Sequence, residues 1–75
     1  MLHDTTIKIT GMEVEPFHKG FKLRHLLKFT SAKGHDFYLV LAKQNDAQRF
    51  ATLLNKRVRI KYGVYEARNV VREIW

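Results

Sequence analysis

Residues 21–30 put Phe21, Leu23, His25, Leu27 and Phe29 at every second position, with Lys22, Arg24, Leu26, Lys28 and Thr30 between them. A period of two held over ten residues fits a half-buried strand and no helix, because a helical apolar stripe recurs every three or four residues. Such a strand is stable only within a sheet whose apolar face is covered. The sequence must therefore supply further strands and a core for them to share.

It supplies them on both sides. Residues 6–15 alternate around Ile7 and Ile9, and the phase slips at Gly11, after which Met12 and Val14 carry the apolar face. A glycine at a phase slip predicts a bulge or bend, and the dihedrals of such a site favour glycine. Pro16 to Gly20 read as a loop. After residues 21–30, Ser31-Ala32-Lys33-Gly34 reads as a turn with Gly34 in the left-handed position. Residues 36–42 are nearly all apolar, as expected of a central strand paired with the one before. Residues 57–65 alternate again, with Val58, Ile60, Tyr62 and Val64 opposite Arg57, Arg59 and Lys61. A turn from Tyr65 to Asn69 leads to a last strand over 70–75.

One segment breaks the period. Asn45-Asp46-Ala47-Gln48 has the form of a capping box with Asn45 as the cap. Ala47, Phe50, Ala51 and Leu54 follow at helical spacing, with Leu53 widening the stripe. The spacing predicts one amphipathic helix of about three turns. Lys56 and Arg57 fall near its end, where the helix dipole favours cations.

The expected order is strand, strand, strand, helix, strand, strand, in a mostly β domain that occupies residues 1–75. With the bent first strand at Gly11 and the position of the helix, this order resembles the OB-fold, a five-stranded Greek-key barrel with a helix between its third and fourth strands. The resemblance covers nearly the whole chain. An SH3-like or Sm-like barrel is the alternative, and a helix packed on an open antiparallel sheet is a third arrangement.

Charge directs the functional reading. Fourteen Lys and Arg face seven Asp and Glu, a formal charge of +7 on 75 residues. An excess of this sign and density favours polyanions, nucleic acid foremost. Strand alternation gathers the cations into stripes: Lys22, Arg24 and Lys28 on the second strand, and Arg59 and Lys61 beside Arg57 on the fourth. Phe17, Tyr38, Tyr62 and Tyr65 are candidate platforms for stacking bases, with Tyr62 in phase with the core and Tyr38 open to either side. The OB-fold resemblance implies a binding surface on strands two and three and on the loops joining strands one–two and four–five. On this chain that surface carries Phe17, Lys19, Lys22, Arg24, Lys28, Tyr38, Tyr65 and Arg68.

The expectation is a non-catalytic module that binds single-stranded DNA or RNA in preference to duplex, with weak sequence preference. The alternative is a protein-interaction or homo-oligomer module that pairs through its final strand, which ends in Ile74-Trp75. Catalysis finds little footing. Ser31 lies in a turn, Glu13 and Glu15 read as solvated strand charges, and the four glycines form no phosphate loop. There is no cysteine, and His3, His18, His25 and His35 lack metal-ligand spacing, so no metal or other cofactor is expected. His25 reads as an interior or barrel-end residue. Residues 1–6 lack a basic region followed by an apolar run, and the helix lacks a dense basic face. A cytoplasmic protein without membrane contact is the expectation.

Overall fold

The computed structural model describes residues 1–41 and 43–75, and the side chains of all of these except Lys19 and Gln44. Five strands follow in order: β1 (His3–Lys19), β2 (Lys22–Ser31), β3 (Asp36–Leu41), β4 (Arg57–Tyr65) and β5 (Arg68–Ile74). They close into a ring in the order β1-β2-β3-β5-β4, and β4 returns to β1. All neighbours are antiparallel except β3 and β5, which run parallel through Phe37–Asn69 and Tyr38–Val70. This is a closed OB-type barrel, with a helix between β3 and β4.

The ring closes because β1 serves two neighbours. Residues 3–8 pair with β4, and residues from Ile9 onward pair with β2. The register shifts between Ile9 and Gly11, where the sequence placed the phase slip. The expected reason for glycine there does not hold. Gly11 has no positive φ, and an added Cβ would meet Thr30 at an ordinary 3.5 Å. Gly34 does fulfil its part, with φ +84 in the β2–β3 turn.

Ile7 and Ile9 of β1, Leu27 and Phe29 of β2, Phe37 and Leu41 of β3, Val58 and Ile60 of β4, and Val71 of β5 fill the barrel. Phe29 is wholly buried and meets the Phe50 ring edge-on, with centroids 6.4 Å apart. The helix is 3-10, not α, over Gln44–Leu53. Ala47, Phe50 and Leu53 are the residues it packs against the core, a spacing of three that suits three residues per turn. Ala51 and Leu54, expected on an α-helical stripe, are exposed. The cap is Lys43, two residues before the expected Asn45. The Lys43 N–H donates to Asp46 Oδ2 at 3.2 Å. No basic residue lies in the last turn, because the helix ends before Lys56 and Arg57.

Several boundaries move for tertiary reasons. β1 runs through the expected loop at Pro16–Lys19 and starts earlier than residue 6, because β2 and β4 provide partners along its whole length. The last β2–β3 pair is His25–Leu41, so residues 17–24 pair only with one another and project from the barrel as a two-stranded arm. Phe21 and Leu23 keep the phase of the core but lie on this arm. Phe21 is fully exposed at the tip and Leu23 is exposed beside it. Val64 is also exposed despite its phase. It pairs with Asn69, next to the last pair of the hairpin, Tyr65–Arg68, at the end of β4. The β4–β5 turn shortens to Glu66 and Ala67, so β5 begins at Arg68 rather than 70. Ala42, expected to close the third strand, lies outside the described residues.

Candidate nucleic-acid interface

The outer face of the barrel follows from the inner one. Since Leu27 and Phe29 point inward, Arg24, Leu26 and Lys28 of β2 point out. So do Glu13, Glu15 and Phe17 of β1, which stand opposite Lys28, Leu26 and Arg24. Tyr38 and Val40 of β3 face the same way, opposite Lys28 and Leu26. On β5 the inward Val71 leaves Arg68, Val70 and Arg72 outward, and Val70 stands beside Tyr38.

These rows enclose a shallow groove of about 250 Å³. Leu26 and Val70 form its floor, and Leu26 is only 4% exposed although it points away from the core. Phe17 closes one end, from the base of the arm. Tyr65, Glu66 and Arg68 rise at the other, where β4 turns into β5. The Arg68 guanidinium lies over the Tyr38 ring, 5.4 Å from its centroid. Arg68 is exposed and Tyr38 half-buried, so the pair presents a cationic and an aromatic surface together at the groove. The volume falls below the roughly 300–1,000 Å³ of sites that enclose drug-sized ligands, which suits a single planar ring rather than a whole molecule.

The candidates of the sequence separate into two groups. Phe17, Tyr38, Tyr65 and Arg68 meet in the groove, with Arg24 opposite Phe17 in the β1–β2 register. Lys22 is exposed further out on the arm. The Lys19 side chain lies outside the described residues.

Lys28, Arg59 and Lys61 are each engaged by carboxylates. Lys28 Nζ lies 3.1 Å from Glu13 and 3.3 Å from Glu15, so these glutamates clamp a lysine and are not simply solvated. Their hydrogen bonds, Glu13 first and Glu15 next, hold the Lys28 ammonium above its ordinary pKa. Arg59 makes two hydrogen bonds to Asp4, at 2.9 and 2.8 Å, and lies 5.1 Å from the Trp75 ring centroid. Through those bonds the guanidinium holds the Asp4 carboxyl below its ordinary pKa. Lys61 reaches Glu73 at 3.4 Å. β1 separates β4 from β2 in the ring, so the two expected cationic stripes do not merge.

Val40, Val70, Arg72 and Glu66 also line the groove and were absent from the sequence expectation. Arg72 was within reach of it, since alternation along 70–75 sets Arg72 opposite in sense to Val71. The missing information was that β5 lies beside β3. Among the described residues, Arg24, Arg68 and Arg72 take part in no ion pair. β5 lies between β3 and β4, but it meets β3 only at Asn69 and Val70, and residues 71–74 pair on the β4 side alone.

Tyr62 sits at the rim of the core, edge-on to Phe37 and stacked on His3, and so is no free platform. Ser31 is buried, and its Oγ accepts the His35 N–H at 3.1 Å, which engages it within the turn. Among the described residues no three His, Asp or Glu side chains cluster to hold a metal ion, and no helix is long and apolar enough to cross a membrane. No protein-family model, curated protein or solved structure matches the chain.

Proposed function

We propose that the chain is a non-catalytic module that binds single-stranded nucleic acid across the outer face of β2, β3 and β5. The observation that carries this reading is the Tyr38–Arg68 stack above an apolar floor, flanked by arginines without carboxylate partners. One base stacks at Tyr38, and Phe17 and Tyr65 offer surfaces to its neighbours. Arg24, Arg68, Arg72 and Lys22 take the phosphates. Duplex DNA keeps its bases stacked on one another, so it cannot offer a ring to the groove without opening. Pairing through the final strand is the second reading, since β5 meets β3 only at Asn69 and Val70 and residues 71–74 pair on the β4 side alone.

Fluorescence anisotropy with single-stranded and duplex oligonucleotides over a range of salt tests the reading. Neutralising about four phosphates of a single strand gives a log–log salt slope of about −3. Tyr38→Ala removes one stacking platform and should cost about 1–3 kcal/mol, roughly 5- to 150-fold in affinity. Lys22→Glu with Arg24→Glu should abolish binding and leave the fold intact. Equal binding of every nucleic acid at low salt only, with Tyr38→Ala unchanged, would refute the proposal.

A further inference from the structure

A second concavity of about 540 Å³ opens elsewhere on the barrel, between the first half of β1, the β2–β3 turn and the start of β4. Lys8, Lys33, His35 and Arg57 line it together with Thr5 and Thr6, and no Asp or Glu does. Lys8 and Arg57 are directly opposed across the β1–β4 ladder. Like charges in that position destabilise a sheet. The turn is drawn against them by the Ala32 N–H, which donates to the Lys8 carbonyl at 2.9 Å, and this brings Lys33 alongside.

The carboxylates that would relieve this repulsion are placed elsewhere. The chain has seven Asp and Glu. Asp4 holds Arg59, Glu13 and Glu15 hold Lys28, and Glu73 holds Lys61. Asp36 accepts from the Thr30 hydroxyl, Asp46 accepts from the Lys43 N–H, and Glu66 stands at the Tyr38 groove. Arg59 and Lys61, further along β4, each have a carboxylate, whereas among the described residues the opposed pair Lys8 and Arg57, with Lys33 beside it, has none.

We propose that this cleft is an anion site for adjacent phosphate groups, separate from the Tyr38 groove. Arg57 offers a planar fork that matches two phosphate oxygens. Lys8 and Lys33 act as point charges, and Thr6, on the same face of β1 as Lys8, offers a hydroxyl to a further oxygen. A run of phosphates is available from a free polyphosphate or from a nucleic-acid backbone, and the same side chains serve either.

The test is calorimetric titration of the full chain with sodium tripolyphosphate, and in parallel with a single-stranded oligonucleotide, for the parent, Lys33→Ala with Arg57→Ala, and Tyr38→Ala. Saturable tripolyphosphate binding that weakens about tenfold or more in the Lys33/Arg57 variant and is unchanged in Tyr38→Ala supports a site for free polyphosphate. Binding of the oligonucleotide alone, weakened by the same variant, supports the site with nucleic acid as the source. Folding is checked separately: removing Arg57 relieves a like-charge pair, so the melting temperature should hold or rise in phosphate-free buffer. Absence of saturable binding to both probes, or equal affinity in the parent and the Lys33/Arg57 variant, overturns the proposal. Failure of Tyr38→Ala to weaken the oligonucleotide would count against the groove and leave the cleft standing.

Discussion

The β4–β5 turn has both central residues in the left-handed region, Glu66 at φ 49 and Ala67 at φ 63. This is the backbone of a two-residue hairpin that favours Asn-Gly, because a Cβ crowds the carbonyl oxygen at positive φ. The penalty is about 1–2 kcal/mol per non-glycine residue. Ala67→Gly should remove it at one position, while the greater freedom of glycine in the unfolded chain takes back about 0.5–1 kcal/mol. The net gain is about 0.5–1 kcal/mol, or roughly 2–8 °C in melting temperature for a domain of this size. Thermal and urea unfolding followed by circular dichroism will measure it, with the urea m-value unchanged. Gly34→Ala, at φ +84, is the converse substitution and should lower stability by about 1 kcal/mol. A melting temperature at or below the parent's in Ala67→Gly would mean that the turn carries no backbone strain. The turn also sets Tyr65 and Arg68 at the groove, as the last pair of the β4–β5 ladder. Glu66→Asn should therefore tighten oligonucleotide binding by removing a negative charge from the rim, whereas Ala67→Gly should leave affinity unchanged.

Three further outcomes follow from the same geometry. Glu13→Gln with Glu15→Gln releases Lys28, so anisotropy should show tighter single-strand binding and a salt slope steeper by about 0.7, while Lys28→Ala changes affinity little. Asp4 has its folded pKa held below the ordinary 3.8, so its contribution to stability is present above that pH and lost as pH falls through the folded value. The urea midpoint should drop below about pH 3.8, and Asp4→Asn should flatten that part of the profile. Phe29→Ala empties the centre of the barrel and should cost about 3–5 kcal/mol, much of a small domain's stability, read as lost or strongly lowered cooperative unfolding.

Alternation alone determined much of this protein. The inward set of Ile7, Ile9, Leu27, Phe29, Val58 and Ile60 was legible because side chains change face at every residue of a strand, whatever the partner. The irregularity near Gly11 was legible as a phase slip, and the helix as a change of period. Tertiary structure decided the rest, since it depends on which strand lies beside which. Phe21 has the phase of Phe29 in the sequence, yet it lies in the β1–β2 turn at the tip of the arm, beyond the end of β3, and is bare to solvent. Lys28 shares the phase of Arg24, yet is engaged because β1 sets Glu13 and Glu15 at its side. The Tyr38–Arg68 stack joins residues thirty positions apart through a parallel pairing of β3 and β5 that no local pattern encodes. Local sterics and hydrophobicity fix the face a residue takes. Long-range pairing fixes its neighbours, and the neighbours decide whether a cation is free to meet a ligand.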